Sequence, residues 1–337
     1  MIRFKLNHPK LACFNQFKYL RIIKNIIFIF FIFIYILIYN CKIYKKNIKV
    51  CLCTLGKNEN LYIKEFVEYY KNFGVDKIFL YDNNDIDGES FEKVIKNYID
   101  DSYVDILNYR GQLNPMYQIM NHCYQTNYIK FDWIIFYEID EYIFLKNYTN
   151  IKKFLKEPKF NKCQVIYLNW ILYTDNNLIY YDNRSLAERF VEKEYKVKLK
   201  NITNIRAGVK YILKGHIPRI KIQSVHKIYE KLNSCNGFGQ KVTISQKSMS
   251  NPDYKYYYIK HYYCKSLEEF VNKINKGCAI FGQDINYKKI RIDKYFRYNK
   301  ITSFKIKYIE NKTGINLIEY KNHLLNKRKK KISLITI

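Results

Sequence analysis

Residues 131–144 read Phe131-Asp132-Trp133-Ile134-Ile135-Phe136-Tyr137-Glu138-Ile139-Asp140-Glu141-Tyr142-Ile143-Phe144. The run from Trp133 to Tyr137 is β-branched and aromatic, long enough for one buried strand and too short for a typical helix. Three acidic residues follow it. Because side chains alternate along a strand, we expect Glu138 and Asp140 to point one way and Glu141 the other. The stretch predicts a buried strand with an acidic end.

Two carboxylates that converge beside an apolar strand repel each other unless protons or a cation lie between them. Hard divalent ions such as Mn²⁺ or Mg²⁺ take oxygen ligands of this kind and commonly bind phosphate as well. The simpler interpretation is an acidic loop that ends a strand. The three acids alone favour that simpler interpretation.

The first half of the chain alternates between strand-like and helix-like patterns. Strands are predicted over 48–55, 75–81, 102–107 and 133–138, with helices over 61–73, 90–98 and 116–128 between them. This alternation indicates βαβ units and a Rossmann-like α/β fold with a mainly parallel sheet. Ligands of such sheets bind at the carboxyl ends of the strands. Polar residues fall at three of those ends, namely Asn58/Glu59, Asp82/Asn83 and Glu138/Asp140. Three such ends together favour a ligand site over an acidic loop that merely ends a strand.

After residue 150 the pattern is less regular. A short helix is expected over 151–155, a strand over 165–172, a helix that begins near 186, β-structure over 205–230, and a helix over 267–276 with Ser266 as its N-cap. The C-terminal part is helical and basic. No linker-like segment interrupts the chain, so we expect one domain over 50–300 followed by a basic extension over 301–337.

The N-terminus has the pattern of a signal anchor. A basic tail (1–21) precedes a run of Ile, Phe and Tyr within 22–40, and a basic linker (41–49) follows. The run approaches the roughly 20 residues of a membrane span. A cleaved signal peptide or a buried helix are the alternatives, but no small-residue cleavage site follows Tyr39. The excess of basic residues before the run favours type II topology, with the remainder of the chain in the lumen of the Golgi or endoplasmic reticulum.

The composition has two explanations. A net charge of +29 is compatible with a nucleic-acid or anionic-surface partner, but the lysines are dispersed and no nucleic-acid-binding signature occurs. The abundance of Lys, Asn, Ile, Tyr and Phe is also typical of an AT-rich genome. The nine cysteines form no CxxC pair. Disulfides are possible in a lumen, but their pairing cannot be deduced from the sequence. Glycosylation sequons lie at Asn147, Asn183, Asn201 and Asn311.

Several motifs together resemble one family. They are Cys-Thr-Leu-Gly-Lys-Asn-Glu (53–59), Glu-Phe-Val-Glu-Tyr-Tyr-Lys-Asn-Phe-Gly-Val-Asp (65–76), Tyr-Asp-Asn-Asn (81–84), the 133–143 stretch, Leu-Asn-Trp (168–170), Glu-Arg-Phe (188–190) and the segment from His261 to Phe270. In order and spacing these resemble glycosyltransferase family 92, formerly domain of unknown function 23, and its family 2-like relatives. The resemblance spans about residues 50 to 280. The family motif usually starts with Asp, whereas this chain has Glu138.

The resemblance implies a GT-A type nucleotide-sugar-binding fold and metal-dependent, inverting transfer of a hexose, with UDP-galactose as a possible donor and a glycan as acceptor. Mn²⁺ or Mg²⁺ would bind Asp140, Glu138 and His261, although His261 could equally be a buried structural histidine. The donor would contact the residues near the first strand ends and the third helix, namely Asn58, Glu59, Asp82, Asn83 and Gln118. For Asp82 the alternative is a turn-forming residue. Glu188 and Asp175 are candidates for the base that an inverting transfer requires.

Two other functions compete with this interpretation. One is a catalytically degenerate, membrane-anchored protein that binds carbohydrate or nucleotide, and the substitution at Glu138 keeps this alternative open. The other is a basic nucleic-acid binder, whose affinity would fall steeply with salt. We expect the enzyme, with no nucleic-acid partner.

Overall fold

The computed structural model describes residues 24–34, 47–113, 115–193, 206–244, 248–250, 252–277, 284–322 and 326. The chain divides into two units, Met1–Asn47 and Ile48–Ile337. In the first unit, residues 24–34 form a helix with exposed apolar side chains. Within the described ranges, no helix has the length and apolarity needed to cross a membrane. The rest of the predicted 22–40 span, like most of the predicted tail and linker, lies outside those ranges, so the anchor stays a prediction.

The predicted alternation of strands and helices in the first half of the second unit is confirmed. The four strands are β1 (Val50–Gly56), β2 (Lys77–Asp82), β3 (Val104–Asn108) and β4 (Trp133–Phe136), and the three helices are α1 (Asn60–Asn72), α2 (Glu92–Asp100) and α3 (Met116–Asn127). The strands are parallel and lie in the order β3-β2-β1-β4. Their carboxyl ends therefore share one edge of the sheet, as predicted.

The second half adds strands of both directions. They are β5 (Glu141–Leu145), β6 (Val165–Leu172), β7 (Arg206–Lys214), β8 (Ile222–Ser224), β9 (Lys227–Ile228), β10 (Ser234–Asn236), β11 (Ser248–Ser250) and β12 (Tyr257–His261). The main path continues from β4 through β7, β6 and β12 to β5. Because β7 is antiparallel to both β4 and β6, the sheet is mixed. It is nevertheless mainly parallel, as predicted, since β6 also pairs in parallel with β12 and with β10.

The described part of the second unit includes five further α-helices. They are α4 (Ile151–Leu155), α5 (Leu186–Arg189), α6 (Leu267–Asn275), α7 (Ile285–Tyr298) and α8 (Ser303–Thr313). Ser266 caps α6 as predicted and forms a reciprocal capping box with Glu269. Helix α1 begins at Asn60, one residue before the predicted start at residue 61. Apolar side chains of α6, α7 and α8 form one cluster, which joins the start of the basic extension to the domain.

The sheet is buried on both faces. Val50 and Leu52 face one apolar cluster, and Cys51 and Cys53 face another, as the alternation of side chains along β1 requires. Among the described residues, two disulfides connect distant segments: Cys53 is bonded to Cys123 of α3, and Cys163 to Cys235 of β10. Cys51 and Cys264 are buried free thiols.

Candidate functional site

Residues 138–141 form the acidic turn, which lies at the carboxyl end of strand β4. Strand β4 ends at Phe136, and β5 begins at Glu141. The Glu141 N–H donates to the Glu138 carbonyl at 3.0 Å, and the Glu138 N–H donates to Glu141 Oε2 at 3.0 Å. The expectation that Glu141 points away from Glu138 is therefore wrong, because the chain turns at Glu138 instead of continuing as a strand.

A buried lysine, Lys210 of β7, lies between Glu138 and Glu141. Its Nζ is 2.6 Å from Glu138 Oε2 and 3.0 Å from Glu141 Oε2, and its side chain is 0% exposed. Burial opposes ionisation of Glu138, but the Lys210 ammonium outweighs it and holds the pKa of Glu138 below its usual value. Burial raises the pKa of Glu141 to about 8, although Lys210 acts in the opposite direction. Sequence reasoning missed Lys210, whose only signal is a lysine between Val209 and the apolar run 211–213.

Asp140 and His261 form a second group beside this turn. His261 ends β12, opposite Glu141 of β5. Its Nε2 lies 3.6 Å from Asp140 Oδ1, and its Nδ1 lies 3.7 Å from Glu141 Oε1. Burial lowers the pKa of His261 more than Asp140 raises it, which favours the neutral imidazole that binds metals. Lys273 of α6 forms an ion pair with the other oxygen of Asp140.

These residues can hold a divalent ion only together with other ligands. In the described part of the chain, no group of three or more His, Cys, Asp and Glu side chains is arranged around a metal position. Asp140 and His261 nevertheless present an oxygen and a nitrogen 3.6 Å apart. Mg²⁺-type sites commonly use one or two protein ligands, with phosphate oxygens and water for the rest. Asp140 and His261 therefore fit a metal that is bound with a phosphate, whereas Glu138 is turned to Lys210.

The ends of β1 and β2 form a hydrogen-bonded group of their own. Asn58 has a left-handed backbone (φ 51°), and its N–H donates to Asn84 Oδ1 at 2.7 Å. Asp82 is buried; it accepts from Arg110 Nη1 at 2.7 Å and from the Asn84 N–H at 2.9 Å. Asn83 donates to two backbone carbonyls. The structure thus brings Asn58, Asp82 and Asn83 together, with Asp82 already paired to a cation.

Glu59 connects the first strand end to α6. It forms ion pairs with Lys265, at 3.4 Å, and with Lys276. Burial would raise the pKa of Glu59, but the two lysines outweigh it, so the pKa is lowered. The Asp140 carboxylate acts to raise the pKa of Glu59, so Glu59 lies close enough to the acidic turn to interact with it electrostatically. Gln118, in contrast, is an exposed residue of α3.

The two predicted bases lie in different surroundings. Asp175 is buried, accepts from the Tyr295 hydroxyl and forms an ion pair with Lys305 of α8. These contacts give Asp175 a structural role between β6 and the C-terminal helices. Glu188 is exposed in α5 and completes the capping box of Ser185.

Comparison with known proteins gives a family match over most of the chain. The model of glycosyltransferase family 92 matches residues 46–315. A glycosyltransferase family 92 protein from Ricinus communis is 28% identical over 116 residues, which are 33% of this chain and 20% of that protein. One from Oryza sativa subsp. japonica is 29% identical over 106 residues, 31% of this chain and 18% of that protein. The matched segments thus span about a fifth of these relatives.

Two solved structures align with this chain at low TM-scores and low sequence identity. S. aureus TarS 1–349 in complex with UDP aligns with a TM-score of 0.34 and 11% identity, over 74% of this chain and 70% of that chain. The mannosyltransferase PcManGT from Pyrobaculum calidifontis, in complex with GDP-Man and Mn²⁺, aligns with a TM-score of 0.37 and 8% identity, over 86% of this chain and 82% of that chain.

Proposed function

The chain belongs to glycosyltransferase family 92, and we propose that it transfers a hexose from a nucleotide-sugar donor to a glycan acceptor. The observation that carries the proposal is the pair of Asp140 and His261, 3.6 Å apart at the edge where the parallel strands end. Lysines that border this pair supply the positive charge that a nucleoside diphosphate needs. The donor site would continue along Glu59, Asn58 and Asp82.

A divalent ion, Mn²⁺ or Mg²⁺, would be held by Asp140 and His261 and would neutralise charge on the departing diphosphate. Glu138 remains beside it, paired with Lys210. Lys210 and Glu141 would fix the turn that carries Asp140, so that its carboxylate keeps one orientation. We assign UDP-galactose as the donor to be tested first, on the family resemblance.

An inverting transfer needs a carboxylate that removes the proton of the acceptor hydroxyl. Of the two candidates, Asp175 is enclosed with Lys305 and Tyr295, whereas Glu188 is exposed and can be reached by an acceptor. Glu188 is thus the better candidate, and inversion at the anomeric carbon would follow from a single displacement.

The substitution Asp140→Asn tests the proposed function. We expect wild-type protein to release UDP from UDP-sugars in the presence of Mn²⁺ and an acceptor, and the variant to be slower by at least about 100-fold, because removing one strong electrostatic contact costs about 2.7–4 kcal/mol. Asp87→Asn, at an exposed loop position, is the matched control.

A catalytically degenerate binding protein is the alternative that one observation favours, because Glu138 and Asp140 are each paired with a lysine. UDP binding that depends on Asp140, with no transfer from any donor to any glycan, would support that alternative and refute the enzyme.

Membrane anchoring through residues 22–40, with the second unit in the lumen of the Golgi or endoplasmic reticulum, belongs to the same proposal. The apolar composition of that segment supports it, and so do the two disulfides, since such bonds persist in oxidising compartments.

A further inference from the structure

Three cations surround one buried tyrosine beside the acidic turn. Lys294 Nζ lies 3.9 Å from the centre of the Tyr263 ring, Arg291 Cζ lies 4.7 Å from it, and Lys273 Nζ 5.0 Å. Tyr263 is 4% exposed, and its hydroxyl is buried without a hydrogen-bond partner. Helix α6 supplies Lys273, and α7 supplies the other two. The cluster of Lys273, Arg291 and Lys294 therefore collects charge from two helices.

The positive charge of this cluster is only partly compensated. Asp140, through Lys273, is the one carboxylate in the described part of the chain that forms an ion pair with any of the three cations. Arg291 donates from Nη1 to the Tyr287 hydroxyl at 2.8 Å, and its Nε is buried without a partner. Burial, with the nearby Arg291, lowers the pKa of Lys294 to about 8. An anion at this position would relieve the repulsion between the cations.

The contacts also define where the anion would lie. Lys273 touches both the tyrosine and Asp140, whose other oxygen faces His261. A group bound by the cluster would therefore border Asp140 and His261. A diphosphate suits such a position, because some of its oxygens can accept from Lys and Arg donors while others would face the position between Asp140 and His261 where a divalent ion would lie.

We propose that Lys273, Arg291 and Lys294 form a phosphate-binding cluster that takes the diphosphate group of the donor and holds the nucleoside diphosphate after transfer. This inference rests on the proposed glycosyl transfer. In that reaction the bond from the anomeric carbon to the β-phosphate oxygen breaks and its electron pair stays on that oxygen. The acceptor oxygen bonds to the anomeric carbon, and its proton goes to a carboxylate base. The cluster would compensate the charge on the departing oxygen.

Binding of inorganic pyrophosphate and of UDP to the full chain, measured by calorimetry in EDTA, tests the cluster without a metal. We expect Lys294→Gln and Arg291→Gln each to weaken both ligands by about tenfold or more. Lys289→Gln removes the same charge from an exposed position of the same helix and is expected to change affinity by less than twofold. Lys294→Arg keeps the charge and should restore most of the affinity, which separates binding from folding.

The two ligands distinguish a donor site from a general polyanion site. If UDP binds more tightly than pyrophosphate and competes with it, the result supports a donor site. Equal losses in Lys294→Gln and Lys289→Gln would overturn the cluster, even in a chain that transfers sugar. Pyrophosphate binding that depends on Lys294, in a chain that transfers no sugar from any donor, would instead overturn the proposed function and leave the phosphate cluster standing.

Discussion

Lys210 shows how one residue controls the chemistry of the site. A lysine with a fully buried side chain is stable only when opposite charge lies close, and Glu138 supplies that charge at 2.6 Å. Glu141 lies 3.0 Å from the same ammonium. The arrangement also separates the roles of the acids. Glu138 is held ionised, Glu141 is biased towards protonation, and Asp140 is left to face His261.

Replacing Lys210 with Met should destabilise the fold by about 3 kcal/mol, because removing one partner of a buried ion pair leaves an uncompensated charge. Urea unfolding measures the loss. The double variant Lys210→Met/Glu138→Gln is expected to recover a large part of it, since the carboxylate that Lys210 holds ionised is then neutral as well. A double variant that is no more stable than Lys210→Met would contradict this account.

Helix α6 is the element that brings the basic side chains to the acidic turn. Its first turn is fixed by the Ser266 capping box, and its Glu269 also accepts from Arg189 at 2.7 Å and from the Tyr62 hydroxyl at 2.7 Å. One helical turn after Glu269, Lys273 reaches Asp140. Lys276, the residue that follows the helix, reaches Glu59. The position of α6 therefore sets the charge of the site.

Local elements were predictable, and long-range neighbours were not. The strand before Glu138 and the cap at Ser266 follow from residues close in sequence, because periodicity and capping act over a few positions. The pairing of Lys210 with Glu138, across more than seventy residues, depends on β7 joining β4 in the antiparallel direction. No local pattern specifies that neighbour. For the same reason the sequence predicts Asp175 as a base, although Lys305 and Tyr295 enclose it in the structure.

The buried pair of Arg189 and Glu269 should make stability depend on pH. Burial would raise the pKa of Glu269, but hydrogen bonds from Arg189 and Ser266 outweigh it and lower the pKa below the ordinary 4.5. Since the folded pKa is below the unfolded one, the stabilisation is complete above pH 4.5 and is lost as pH falls further. We expect Glu269→Gln to cost about 3 kcal/mol at pH 7 and progressively less below pH 4.5.

Urea unfolding at pH 7 and at pH 3.5 measures this difference between wild type and variant. Glu319→Gln, at an exposed position, should cost little at either pH. A constant difference between wild type and Glu269→Gln over the whole range would show that the ionised carboxylate does not stabilise the helix.

At the scale of the whole molecule, the predicted anchor and the two disulfides both favour an oxidising compartment. Cys53–Cys123 and Cys163–Cys235 each close a loop of about seventy residues in the second unit. In the chain-entropy model a loop of this size corresponds to about 4 kcal/mol of stabilisation, which is a large fraction of the stability of a domain. A reducing compartment would remove that contribution, whereas a lumen reached through a type II anchor would preserve it.

In microsomes from cells that make the full chain, we therefore expect the second unit to resist added protease until detergent is present. Maleimide labelling of the same material after denaturation should give a larger gel shift with prior reduction than without it, because Cys51 and Cys264 react in either case. The additional shift should decrease in Cys163→Ala/Cys235→Ala. The double variant should also unfold at lower urea concentration, by an amount that corresponds to 2–4 kcal/mol. Digestion of the second unit without detergent would contradict the lumenal location. Labelling of these four cysteines without a reductant would contradict the disulfides, and the two results are independent because topology and oxidation are measured separately.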